Sequence, residues 1–345
     1  MQHPIHNRLS RPRSAGHKAG AGRRTFIALL AIVASTGGLA VRDAQAQAFP
    51  SKPVRILVGS AAGGGTDVFS RLIASKLQEM WGQPVIVENR TGASASIAAD
   101  MVAKSPPDGH TVVMAIPNSH TIGPHVMKFP YDPLKDFTPI TLVMEIPSVV
   151  VINDALPVKS MKELVAYIKE NPEKANYYSS GIGSTQHLAG EMLNLAAGIK
   201  VVHVPYKGSA PAIADMMGGT VLMGIDPVSA TLGQLKAGRI RAIAVAAPGR
   251  IASMPDVPTT AEAGYPGVEM LTWYGLLGPA NLPRPIVDKW QQDVAKVIAM
   301  AEVQERMAAV AGQPRGLAPD AFAKFIADQS ARMGKLVKDA DIKDK

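Results

Sequence analysis

The residues best placed to do chemistry in this chain are mostly residues without side chains. Gly63-Gly64-Gly65-Thr66-Asp67 follows the apolar run at Val54 to Val58 and opens a segment of helical character that runs to about Trp81. Glycines lack a Cβ, so the backbone can turn sharply and approach a ligand closely. A helix start adds four unpaired N–H groups and the positive end of a dipole. Strand, bare loop and helix start together make an anion seat. The same physics recurs over a hundred residues later, where Asn176 to Ser179, a loop ending in Gly183-Ser184, and a helix from Thr185 to about Ala197 form a second unit. A tight turn that merely packs a helix on a strand fits the same residues.

Phosphate cofactors use similar loops but need more than this chain offers. No lysine follows the glycines as a P-loop requires, and the third position of a Gly-x-Gly-x-x-Gly fingerprint beginning at Gly63 is Val68. No Gly-x-Ser-x-Gly elbow occurs, there is no cysteine, and His120 and His125 lack the spacing of a zincin pair. Asp67 could be read as a general base, or as a carboxylate that stabilises the first turn of its helix. His187, in a first helical turn, is either a neutral structural residue or a ligand contact. Asn118 and Ser119 follow a predicted strand at Thr111 to Ala115, where open α/β sheets bind ligands, although turn chemistry also favours them.

The elements that must position these residues alternate between strand and helix. Strands are predicted at Val85 to Glu88, Thr138 to Met144, Ser148 to Ile152, Val201 to Val204, Val221 to Ile225, Arg241 to Ala246 and Leu271 to Leu277. Pro147 is expected to separate the second and third of these. Helices are predicted at Ser94 to Lys104, at Lys159 to Asn171 with a Ser160–Glu163 capping box, and at Ser209 to Met217. Three more, at about 285–301, 303–311 and 319–340, close the chain, the last with an apolar stripe through Phe322, Phe325, Ile326, Met333, Leu336 and Val337. This is an α/β chain whose two similar units suggest two lobes around a cleft.

The formal charge of +8 is concentrated at the N-terminus. Residues 1–48 hold seven of the 36 basic residues and one of the 28 acidic ones, so the remainder carries only +2. A nucleic-acid partner gets no support from that balance. Arg23-Arg24-Thr25-Phe26-Ile27, a short apolar run to Ala34 and the Ala-x-Ala sites ending at Ala46 and Ala48 read as an export signal, of ordinary or twin-arginine type. The apolar run is too short to span a bilayer, which needs about 20 residues. A periplasmic protein is expected, cleaved near Ala46 or Ala48.

Several stretches resemble the periplasmic solute-binding proteins of tripartite tricarboxylate transporters, the Bug family. They are Gly63-Gly64-Gly65-Thr66-Asp67, Val87-Glu88-Asn89-Arg90, Ser105 to Thr111, Gly183 to Leu188, Val204-Pro205-Tyr206-Lys207-Gly208, Lys236 to Arg241 and Pro255 to Gly264, in the family's order across the whole mature chain. The resemblance implies a two-lobe, type II periplasmic-binding-protein fold with the ligand cleft between the lobes. It places lobe I at 49–148 plus 270–345 and lobe II at 149–269, with crossovers near Pro147 to Ile152 and within Gly267 to Leu277. It also implies a small carboxylate ligand held by one loop from each lobe. Carried over by position, the first loop is Ala61, Ala62, Gly63, Gly64, Gly65, Thr66 and Asp67, and its partner includes Gly183, Ser184, Thr185 and His187. Ser94, Asn118, Ser119, Tyr206 and Asp226 are further lining residues. No catalytic residue, metal or cofactor is expected. The implied partners are membrane permease subunits of a secondary transporter, and the receptor itself is expected to be a monomer that does not span the membrane.

Two departures stand out. Gly59-Ser60-Ala61-Ala62 replaces a proline-rich segment that usually contains an aromatic residue, and Thr91-Gly92-Ala93-Ser94-Ala95 replaces Pro-Gly-Ala-Gly-Gly. Both change pocket volume and polarity, so the ligand does not carry over with the motifs. A sensor that presents ligand to a signalling receptor, and a periplasmic enzyme acting on a carboxylate, are the alternative functions.

Overall fold

A computed structural model describes residues 49–339 and Ile342. The predicted export signal and its cleavage sites lie outside the described residues.

The fold grows from β1 (Val54–Val58), in which Val54, Ile56, Leu57 and Val58 are fully buried. Removing each such side chain from water contributes roughly 1.5–3 kcal/mol. The chain then forms α1 (Gly65–Trp81), β2 (Val85–Asn89), α2 (Ser96–Ala103) and β3 (Thr111–Ala115). β2 and β3 flank β1 in parallel register, with Ile56 opposite both Val87 and Val112. The second half repeats the plan with α3 (Met161–Glu170), β5 (Asn176–Ser179), α4 (Thr185–Ala197), β6 (Val202–Pro205), α5 (Ser209–Met217) and β7 (Met223–Pro227), after a long β4 (Phe137–Asn153). α6 (Val228–Lys236) and β8 (Ile240–Ala246) follow, then β9 (Leu271–Pro279), α7 (Arg284–Ile298), α8 (Ala301–Ala309), a short β10 (Gln313–Pro314) and α9 (Pro319–Asp339).

The strand order is β2-β1-β3-β9-β4-β7-β5-β6, with β8 and β10 also paired to β4. Sequence predicts a break at Pro147, yet β4 runs unbroken through it. Up to Pro147 the strand pairs with β9; from Ser148 it pairs with β7 and β8. Proline cannot donate a ladder hydrogen bond, and Pro147 stands at the changeover between partners. Ser148 N–H resumes the ladder by donating to the Met270 carbonyl (3.1 Å).

One apolar cluster extends along both halves of the sheet, from Val54 and Ile73 through Met144 and Val149 to Ile213 and Val245. The opposite face carries two separate clusters, one around Val113, Leu277 and Phe322 and one around Leu164, Leu188 and Met223. α9 packs on both, with Phe322 and Ile326 in the first and Met333 and Val337 in the second. Its apolar stripe therefore ties the two halves together. Among the described residues, no helix is long and apolar enough to cross a membrane.

Candidate functional site

The three glycines after β1 have different physical reasons. Gly63 has φ +80°, a left-handed conformation that favours glycine. Gly64 is extended at the N-cap of α1 and needs no such freedom. Gly65 is required for room, because a Cβ there would lie 2.3 Å from Ser229 Oγ and 2.8 Å from the Tyr274 hydroxyl. The close approach that glycine permits at this point is therefore to another part of the protein.

That approach brings four helix starts around one small cleft of about 50 Å³. Gly64, Gly65 and Thr66 come from α1, Thr185 and Gln186 from α4, Gly208, Ser209 and Ala210 from α5, and Pro227 and Ala230 from α6. None of the residues lining it carries a charged side chain. Each helix N-terminus is equivalent to about half a positive charge, so the cleft is an electropositive seat built from backbone. Ser184 Oγ caps α4 by accepting from His187 N–H (3.2 Å), and Asn118 Oδ1 accepts from Thr185 N–H (3.3 Å) at the same helix start.

Two side chains hold the seat's polar wall. Asn118 reaches across it, donating from Nδ2 to Ser180 Oγ (3.1 Å) and accepting at Oδ1 from Thr185 N–H (3.3 Å). Gln186 accepts from Ser180 Oγ (2.9 Å) and Thr185 Oγ1 (3.1 Å) and donates to Asp226 (3.0 Å). Asp226, fully buried behind that wall, also accepts from Ser209 Oγ (2.9 Å) and the Tyr178 hydroxyl (2.9 Å). Burial pushes its pKa up to about 6, and those three hydrogen bonds hold it from rising further.

A larger chamber of about 300 Å³ adjoins the seat, with Ser60, Ile116, Asn118, Ser180 and Gly208 common to both walls. Its own wall includes Ala93, Ser94 and Ala95, three consecutive residues in the left-handed region. The predicted helix at Ser94 therefore begins only at Ser96, after this irregular turn. Ser94 Oγ donates across the chamber to the Ile182 carbonyl.

Of the residues singled out in the sequence, Ala61, Gly64, Gly65, Thr66, Asn118 and Thr185 line the seat, and Ser94, Asn118 and Tyr206 line the chamber. Ala62, Gly63, Asp67, Ser119, Gly183, Ser184, His187 and Asp226 line neither. Asp67 is saturated by Gly63 N–H (3.0 Å), Asn89 Nδ2 (2.9 Å) and Arg71 (2.9 Å), as a carboxylate that organises its own loop. Burial raises its pKa, but these partners outweigh burial and hold it below the usual range. His187 accepts from Gly183 N–H (3.2 Å) and stacks on His203 at 3.9 Å, and burial lowers its pKa, which keeps the ring neutral. Ser119 lies in a π turn, Asn118–Ile122, with its Oγ against His120 Nδ1 (2.8 Å). That turn carries Asn118 into the seat, as expected of a lining residue at a strand's C-terminal end, and leaves Ser119 outside it.

Sequence reasoning passed over Ser180, Gly208, Ser209 and Tyr274, while Gln186 falls within the expected loop Gly183 to His187 and Ser60 within the departing segment Gly59 to Ala62. Gly208-Ser209 carries the same glycine-to-helix signal as the two loops that were recognised. Tyr274 gave no local signal, because it arrives from β9, which is remote in the chain.

An α/β sheet of this order, with its cleft at the meeting of two similar units, is the fold of a two-lobe periplasmic binding protein. The chain matches the model of the tripartite tricarboxylate transporter family receptor, TctC, over residues 69–342. It is 33% identical over 320 residues to Protein BugT of Bordetella pertussis, covering 92% of this chain and 98% of that one. Among solved structures it is similar to R. palustris Rpa4515 with adipate (35% identity, TM-score 0.83, covering 85% of this chain and 99% of that one). It is also similar to MatC from Rhodopseudomonas palustris with bound malate (31%, 0.80, 84% and 100%). The chain belongs to the tripartite tricarboxylate transporter receptor family, the Bug solute receptors, a family of solute-binding proteins rather than enzymes.

Proposed function

We propose that this protein is an exported receptor that captures a small carboxylate between its lobes and delivers it to a tripartite tricarboxylate-type permease. The observation that carries this reading is the convergence of four helix N-termini on a cleft with no charged lining residue. Such a seat attracts an anion and offers a carboxylate several N–H donors in fixed directions. The adipate and malate in the two related structures support a carboxylate as the anion. Lobe I is taken as 49–148 plus 270–345 and lobe II as 149–269. Ligand binds one lobe first, and closure adds contacts that only the closed form makes, such as those of Asn118 to Ser180 and Thr185.

The test is a panel of mono-, di- and tricarboxylates applied to protein stripped of ligand by unfolding and refolding. At least one should raise the melting temperature, because a ligand bound only by the native state stabilises it by about 2.7 kcal/mol at 100 times Kd. Calorimetric titration then gives the affinity. No shift with any acid in a broad panel overturns the carboxylate reading.

A further inference from the structure

A buried carboxylate behind an anion seat works against the anion for as long as it keeps its own charge. Asp226 is in that position. It is fully buried, and Asp226-Pro227 leads directly into α6, so the carboxylate stands at one of the four helix starts that make the seat. Ser209, the first residue of α5, and Gln186, in the first turn of α4, both line the seat. Both also donate to the same oxygen of Asp226, Oδ1, at 2.9 and 3.0 Å. The other oxygen accepts from the Tyr178 hydroxyl (2.9 Å). A single side chain therefore stands between Asp226 and whatever occupies the seat.

No cation balances this carboxylate, and among the described residues no charged side chain acts on it. From β5 it faces the Tyr178 hydroxyl and from β9 the Tyr274 hydroxyl, both neutral, with burial pushing the pKa of each further up. From α4 it faces the Gln186 amide, from α5 the Ser209 hydroxyl, and on β4 the residue opposite is the apolar Val149. His187 of α4 turns instead to Gly183 and His203 and stays neutral. The positive ends of the helices are thus the counter-charge of Asp226. An anion in the seat competes for that same potential, and of two carboxylates that share one site, one has its pKa strongly raised. Burial has already brought Asp226 to about 6, so a modest further rise carries it past neutral pH.

We propose that Asp226 takes up a proton as the seat takes its anion, so that carboxylate and proton bind together. This rests on the reading that the seat holds a carboxylate. Asp226 is a positioning residue and acts through Ser209. The proton comes from solvent by way of the seat and adds to Oδ1, and the new O–H donates to Ser209 Oγ. The Ser209 hydroxyl, released from Asp226, turns its own hydrogen to an oxygen of the ligand.

The test is calorimetric titration of the refolded protein with hexanedioate, with malate, and with every acid that raises the melting temperature in the broader panel. Run at pH 7 in PIPES and in Tris, it counts protons from the slope of observed enthalpy against buffer ionisation enthalpy. Wild type should take up at least about half a proton per ligand, and its affinity should fall at least about threefold from pH 6.5 to 7.5. Asp226→Asn should exchange less than about a fifth of a proton and lose that pH dependence, whatever its affinity. Tyr178→Phe, which takes one donor from Asp226, should move the midpoint of the affinity profile to higher pH. Binding of an acid by wild type with no proton exchange at pH 7, or uptake that persists in Asp226→Asn, overturns the coupling and leaves the carboxylate reading standing. A midpoint unmoved in Tyr178→Phe also overturns it. Failure of every acid to bind overturns both.

Discussion

Asn118 belongs to one half of the sheet and spends both ends of its side chain on the other. Its amide donates to Ser180 and accepts from Thr185. If closure depends on these contacts, Asn118→Ala should weaken carboxylate binding about 10- to 100-fold, since each net hydrogen bond is worth about 0.5–1.5 kcal/mol. The check is titration calorimetry, with circular dichroism unchanged. Asp226 behaves differently, because it is buried behind the seat with its pKa raised to about 6. In the unfolded chain an Asp titrates near 3.9. Between those two values the native state binds more protons than the unfolded state, so this group's contribution to stability falls as pH rises from about 4 to 6 and is lowest above 6. Asp226→Asn keeps an acceptor for Gln186 and Ser209 and removes the charge. Urea denaturation at pH 4.5 and 7 should show the variant gaining relative to wild type at the higher pH. A constant difference between the two proteins across that range would contradict the burial argument.

At the scale of elements, the strand–loop–helix units were the most legible part of the sequence. Buried runs such as Val54 to Val58 and caps such as Ser184 report their own conformation locally, so β1, α4 and α5 fall where the pattern places them. The π turn at Asn118–Ile122 and the left-handed turn at Ala93–Ala95 were not legible. Both are irregular backbone held by contacts from outside their own segment, such as the Tyr131 hydroxyl donating to the Ser119 carbonyl (2.9 Å) and Ser94 Oγ donating to the Ile182 carbonyl. α6 was missed because it starts directly after Pro227 with no polar cap. The site was legible to the same degree: its loops, but not the residues delivered by β9 and α6. Gly65 tests how closely those elements must meet. Gly65→Val would drive a side chain into Ser229 and Tyr274, parting α1 from α6. Ligand affinity should fall more than 100-fold, while overpacking costs only about 1–3 kcal/mol of stability. Binding within threefold of wild type would remove this contact from the closed site.

For the molecule as a whole, α9 is the element that spans both halves on the face away from the shared apolar cluster. The Phe322 ring lies against Gly275 of β9, where a Cβ would be 2.2 Å from its Cζ. Phe322→Ala should cost about 3–5 kcal/mol, read from the urea midpoint, because the ring is fully buried and its removal leaves a cavity. A loss below about 1 kcal/mol would show that α9 is dispensable to the core.

The unbroken β4 has a consequence for how such a receptor can change its ligand. Its residues from Phe137 to Pro147 complete one half of the sheet and those from Ser148 to Asn153 complete the other. No linker separates the halves along that strand, so a protease finds no exposed seam there, and a recombination event between two such genes would have to cut inside a paired strand. Exchange of whole lobes is a poor route to a new specificity in this architecture. Substitution in the loops at Gly59 to Ala62 and Gly92 to Ala95, which line the cleft and lie outside β4, leaves the strand intact.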